Sequence, residues 1–102
     1  AMTDILKLNW YSSSNYKMEI TNNGYLYWFN YNDIYNKVQE FELEYDMNNN
    51  TMKLYCGNSR YASHTFKIYK SKSGRLSFTN PVTGYDAEGQ AITNYDTYYL
   101  MN

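Results

Sequence analysis

Apolar and polar residues alternate with period two along most of this chain, as strands with one buried face require. The run from 38 to 45 is the clearest. Phe41, Leu43 and Tyr45 alternate there with Glu40, Glu42 and Glu44. Met47-Asn48-Asn49-Asn50 turns the chain, and residues 51–56 alternate in reverse: Met52, Leu54 and Cys56 inward, Lys53 and Tyr55 outward. One register sets Leu43 opposite Leu54, Tyr45 opposite Met52 and Glu44 opposite Lys53. Core and charge therefore specify the same hairpin.

A second hairpin is read over residues 16–31. Tyr16, Met18 and Ile20 alternate with Lys17 and Glu19, and Asn23-Gly24 reads as the centre of a type I′ turn. That turn pairs Ile20 with Tyr27, Met18 with Phe29 and Tyr16 with Tyr31. Tyr25, Tyr27, Phe29 and Tyr31 then face the core, and Leu26 and Trp28 face outward. Segment 24–31, GYLYWFNY, has no polar face on this register, so Leu26 and Trp28 are expected to meet another surface.

The remaining segments are shorter. Residues 5–11 read as a strand, or as a helical turn capped by Thr3 or Asp4 that leads into one. Residues 32–36 are a connection with a turn at Asp33. Residues 57–64 are a polar loop, and Thr65 to Tyr69 places Phe66 and Ile68 on one face. Ser71-Lys72-Ser73-Gly74 turns the chain before Leu76 and Phe78. Asn80-Pro81 is expected to end that strand. Residues 80–94 then form the longest irregular stretch, before a last strand over 95–101. Trp10, Phe41, Leu43, Leu54, Phe66, Ile68, Leu76 and Phe78 are the expected core. The fold class is all-β: a small antiparallel meander barrel or sandwich of about eight short strands.

Composition agrees. The chain has 102 residues, enough for a single domain over 1–102, and is rich in Tyr and Asn, fourteen of each. Tyrosine suits pleated, half-buried surfaces, and asparagine suits turns. Net charge is −1 with no basic run, which argues against nucleic acid as a partner. No apolar stretch approaches the length of a membrane span. Ala1-Met2 reads as an expression scar, so a leader, with or without a lipid anchor, could have preceded residue 1.

The order of these features resembles a small bacterial lipocalin-like (calycin) domain. The residues that carry the likeness are a first-strand Trp in Leu6-Lys7-Leu8-Asn9-Trp10-Tyr11, the strand–turn–strand segment ITNNGYLYWF (20–29), the middle hairpin FELEYDMNNNTMKLY (41–55), and the aromatic ending YDTYYLMN. The resemblance implies a binding or structural domain. Such domains are usually exported to the cell surface or periplasm and often lipid-anchored, although the cytoplasm stays open here. The shortness of the chain implies a shallow cavity.

Candidate chemistry is sparse, and neither catalytic residues nor a cofactor are expected. His64, the single histidine, reads as a surface-loop residue whose neighbour Ser63 points away from it. Cys56 has no partner at metal-ligand spacing and reads as a buried small hydrophobe. Glu40, Glu42 and Glu44 lie about 7 Å apart on a solvated face, where Lys53 gives them an ordinary partner. Asp86 and Glu88, near Asp96, are a weak calcium signal. No metal site is therefore expected.

The surplus of aromatics is what points to function. Leu26, Trp28, Tyr55 and Tyr69 fall on outward parity, and Tyr85 stands in the 80–94 stretch. Exposed aromatic surface suits binding. The first reading is a non-catalytic interaction domain that contacts a partner protein or a second copy of itself. The alternative is a site for a glycan or small apolar ligand, lined by inner-face aromatics and the 80–94 stretch.

Overall fold

The computed structural model describes residues 9–33, 35 and 38–101. The expectations for Ile5, Leu6, Leu8 and the Thr3 or Asp4 cap lie outside the described residues. The described residues form nine strands in chain order: β1 (Asn9–Ser12), β2 (Tyr16–Ile20), β3 (Tyr25–Asn30), β4 (Gln39–Asp46), β5 (Thr51–Tyr55), β6 (His64–Lys67), β7 (Tyr69–Lys70), β8 (Leu76–Tyr85) and β9 (Ala91–Met101). All pairings are antiparallel. No helix of the described residues is long and apolar enough to cross a membrane.

The sheet order is β6-β5-β4-β3-β2-β1-β9-β8-β7. β6 and β7 are consecutive pieces of one segment, broken only at Ile68, which occupy opposite ends of that order. The first piece pairs with β5 and the second with β8, so one short stretch nearly closes the sheet into a barrel. Phe66 of β6 stacks on Phe78 of β8 across this seam, ring centroids 4.7 Å apart.

The interior is filled rather than hollow. Trp10, Met18, Leu26, Met52, Leu54 and Phe78 are fully buried, with Trp28, Phe41, Phe66, Ile68 and Tyr98 beside them. Leu43 and Leu76 pack against this core half-buried. Burial of that much apolar area, at about 25 cal/mol per Å², is the main force holding the barrel.

The β4–β5 register is the expected one, with Leu43 opposite Leu54, Tyr45 opposite Met52 and Glu44 opposite Lys53. The β2–β3 register is not. Ile20 pairs with Leu26, Met18 with Trp28 and Tyr16 with Asn30, one residue away from the expected alignment. A one-residue shift exchanges the faces of a strand. Leu26 and Trp28 therefore point into the core, whereas Tyr25, Tyr27 and Phe29 are half-buried on the outer face and Tyr31 is exposed.

The turn explains the shift. Asn23-Gly24 is not the centre of a type I′ turn, because Gly24 has φ of +86° but Asn23 does not share the positive region. Gly24 N–H bonds the Thr21 carbonyl, and Thr21 N–H bonds the Tyr25 carbonyl at 2.9 Å. Three residues thus separate the closing pair, as in a type I turn followed by a left-handed glycine. Ser71–Arg75 and Asp86–Gln90 repeat the arrangement, with Gly74 and Gly89 in Gly24's place. In each, the first side chain accepts the N–H of the fifth residue: Thr21 from Tyr25, Ser71 from Arg75 and Asp86 from Gln90.

Two further expectations are corrected. Pro81 does not end a strand. β8 runs through it to Tyr85, pairing Pro81 with Tyr95, and the expected irregular stretch 80–94 shrinks to the turn at 86–90. From Thr79 onward β8 has β9 on one side only, and an edge strand tolerates a residue without N–H. Cys56 is exposed, not buried. β5 ends at Tyr55, and Gly57 with φ of +55° carries the chain away from the core.

Beyond the barrel, β8 and β9 continue as a two-stranded ribbon that projects from it. The radius of gyration, 14.5 Å, exceeds the roughly 13 Å usual for a compact chain of about this length.

Candidate functional site

Two regions stand out: the barrel mouth at the base of the ribbon, and the ribbon itself. The mouth is assembled by inner-face residues at one end of β2, β3, β4, β8 and β9. Tyr16, Trp28, Gln39, Asn80, Asp96 and Tyr98 line a hollow of about 270 Å³ there. Period-two alternation puts Asp96 and Tyr98 on the same face of β9, and the ladder sets Asn80 opposite Asp96 and Phe78 opposite Tyr98.

The polar groups of the mouth are held in place. Trp28 Nε1–H donates to the Tyr98 hydroxyl at 2.9 Å. Ser13 Oγ donates to Asp96 Oδ1 at 3.1 Å. Burial pushes the Tyr98 phenol far above its usual range, outweighing the opposing Trp28 hydrogen bond. Its hydroxyl thus keeps its proton while accepting from the indole. Asp96 is only 8% exposed, so its carboxylate is a buried acceptor at the edge of an open hollow.

Next to the mouth lies His64. The expectation of a surface-loop histidine is wrong: His64 opens β6, pairs with Leu54 and is half-buried. Its ring stacks with Phe66 at 5.7 Å and meets the edges of Trp28 and Phe41 at 5.2 and 5.5 Å. Burial lowers its pKa below the usual histidine value. Ser63 does not point away. Because it precedes the strand, its Oγ reaches His64 Nδ1 at 3.0 Å. The same hydroxyl donates to the Leu54 carbonyl at 3.1 Å. A hydroxyl whose proton is engaged with a backbone carbonyl is not poised for transfer to the imidazole.

The sequence-predicted site residues do not converge. Leu26 and Trp28 are core. Tyr55 is half-buried on the outer face opposite Glu42. Tyr69 is exposed on β7, with the Lys67 ammonium 5.7 Å from its ring centre. Tyr85 ends β8, eight residues past Tyr69's partner Ser77, or about 26 Å along a strand. Asp86 and Asp96 are likewise apart. Asp86 caps its own turn by accepting the N–H groups of Glu88 and Gln90. Among the described residues, no three His, Cys, Asp or Glu side chains gather as a metal site would require.

The ribbon was missed by sequence reasoning. On its outer face stand Pro81, Tyr95 and Tyr85, with Tyr85 72% and Tyr95 67% exposed; on its inner face Val82 and Ile92 are also exposed. The signal was available. Alternation continues through Pro81 as Phe78, Asn80 and Val82 against Ser77, Thr79 and Thr83, and Asp86-Ala87-Glu88-Gly89 matches the other two turns.

No protein-family model, curated protein or solved structure matches this chain.

Proposed function

We propose that this is a non-catalytic interaction domain that associates with a second copy of itself through the outer face of the β8–β9 ribbon. The observation that supports this reading is the exposure of Tyr85 and Tyr95 on a stretch where, among the described residues, β8 and β9 pair only with each other. Aromatic side chains with a polar tip suit surfaces that alternate between water and a partner. The two strands contain a single charged residue, Asp96, which is buried, so two ribbon faces meet without like-charge repulsion. A twofold, antiparallel approach also keeps the acidic tips, with Asp86 and Glu88, away from each other. Pro81 removes a donor from the open edge of β8, which favours face-to-face contact over edge pairing.

Sedimentation velocity over a range of concentrations tests this. The parent should shift toward dimer as concentration rises, and a Tyr85→Ser, Tyr95→Ser double variant should stay monomeric. A parent that remains monomeric at its highest soluble concentration overturns self-association.

A second reading is a small-ligand or glycan site. It is favoured by the mouth, where three aromatic side chains and fixed polar groups surround one open hollow. Kinship with lipocalin-like domains and an exported, sometimes lipid-anchored, location belong to the same proposal. Their support is the resemblance of the strand order, with Trp10 on the inner face of β1. A lipobox leader encoded upstream would agree with it, and an upstream cytoplasmic domain would not.

A further inference from the structure

The mouth has one ionic feature. Among the described residues that line it, Asp96 is the one acidic side chain, and no Lys, Arg or His stands beside it. Three aromatic side chains, Tyr16, Trp28 and Tyr98, share the hollow with it. Aromatic rings attract cations through their quadrupoles, and attract alkylammonium groups best because these shed water easily. A buried carboxylate adds a fixed counter-charge, and its attraction is less screened than at a surface. A neutral sugar hydroxyl would donate to that carboxylate but leave its charge unbalanced. An anion would be repelled by it.

We propose that the barrel mouth binds an alkylammonium cation, its charge between the Tyr16, Trp28 and Tyr98 side chains and balanced by Asp96. This rests on the second reading, that the mouth is a small-ligand site, and names the ligand class. The assignment of roles follows the geometry. Ser13 Oγ fixes Asp96 from behind through Oδ1. Trp28 Nε1–H is spent on the Tyr98 hydroxyl, so the indole donor is not available to the ligand. Asn80 and Gln39 supply amide carbonyl oxygens for any remaining N–H. The volume, about 270 Å³, suits a headgroup-sized ligand better than a long chain.

The test compares choline with 3,3-dimethyl-1-butanol, which has the same shape without the charge, and with methyl glucoside. Each is titrated into the full chain. Binding is read from the Trp28 indole N–H resonance and by calorimetry. Choline should bind about tenfold or more tightly than its neutral counterpart. Asp96→Asn keeps the shape and an acceptor for Ser13, and should abolish that preference. An N-acetylated trimethyllysine amide, run alongside, distinguishes a peptide source of the cation from a free or lipid headgroup. Equal binding of choline and the neutral alcohol overturns the cation proposal. Binding of methyl glucoside without choline overturns it but leaves the small-ligand reading standing. No response to any probe at about 50 mM overturns both. The parent measurements decide the matter even where Asp96→Asn fails to fold.

Discussion

β8 and β9 belong to two regions of the molecule at once. Near Phe78 and Tyr98 they are barrel staves, with β7 and β1 on their far sides and the core beneath. From Thr79 to Tyr85 and from Ala91 to Asp96 they pair only with each other. The ladder is continuous across the boundary, yet Phe78 and Tyr98 are buried while Tyr85 and Tyr95 are largely exposed. Hydrogen-bonded pairing is thus not what buries a strand. Burial comes from a second layer, which the barrel supplies by closing on itself and the ribbon lacks. A two-stranded ribbon is marginal in water on its own. The barrel end anchors this one, and its aromatic residues are not needed for the core.

The largest effect should come from the barrel. Trp28 touches Phe41, His64, Phe66 and Tyr98 and donates a hydrogen bond to the last. Trp28→Ala should cost about 3–5 kcal/mol, a large share of the stability of a small domain. Urea denaturation of the variant and the parent measures it. A loss below about 1 kcal/mol would mean that the mouth, and not the core, is where this side chain matters.

The repeated turn allows the same change to be made in both regions. Gly24 closes a barrel hairpin and Gly89 closes the ribbon, each with positive φ and open space where a Cβ would stand. Alanine at either position meets only the backbone penalty, about 1–2 kcal/mol. Gly24→Ala should lower global stability by that amount. Gly89→Ala should mainly fray the ribbon tip, raising amide exchange at 83–92 while the denaturation midpoint barely moves. An equal fall in midpoint for both would show that ribbon and barrel unfold as one unit.

That turn also decides how much of the molecule could be read in advance. The β4–β5 hairpin was legible because its glutamates and one lysine mark the outer face unambiguously. In segment 24–31 both faces are aromatic, so alternation could not choose between them, and the register rested on the turn alone. Asn-Gly favours type I′ in isolation. Here Thr21, whose hydroxyl donates to Asn23 Oδ1 and whose oxygen accepts the Tyr25 N–H, selects the longer closure. Read beside Ser71–Gly74 and Asp86–Gly89, the pattern of Ser, Thr or Asp three residues before Gly would have set the register. The outer-face aromatics would then have found their covers in neighbouring charged side chains: the Lys17 ammonium over Tyr11 and the Arg75 guanidinium over Tyr99. The mouth was not legible, because Tyr16, Gln39, Asn80 and Asp96 come together only when the sheet closes.

A smaller effect separates the two regions by pH. His64 is the single histidine, and its folded-state pKa is lowered by burial. The unfolded chain takes up its proton at about pH 6.5, before the folded one does. Proton uptake therefore favours unfolding, so stability falls as pH drops through about 6.5 and levels off below the folded-state pKa. His64→Gln should flatten that slope. Ribbon properties should not follow it, since the ring packs on Trp28, Phe41 and Phe66 inside the barrel. A ribbon amide-exchange profile that tracked the same transition would show the two regions to be coupled.

The smallest effect on stability belongs to the ribbon's outer face. Tyr85 and Tyr95 share that face with Pro81, Thr83, Ala91 and Thr93, and among the described residues no ring contact holds either tyrosine. Surface substitutions away from such contacts change stability by about 0.5 kcal/mol or less. Tyr85→Ser with Tyr95→Ser should therefore leave the urea midpoint of the monomer almost unchanged when measured at low protein concentration. The concentration matters, because binding between folded copies adds apparent stability. At high concentration the parent should unfold at higher urea than the double variant, and the gap should close on dilution. A gap that persists at every dilution would mean that the tyrosines stabilise their own chain. The ribbon would then be part of the barrel's fold and not the surface it offers to another copy.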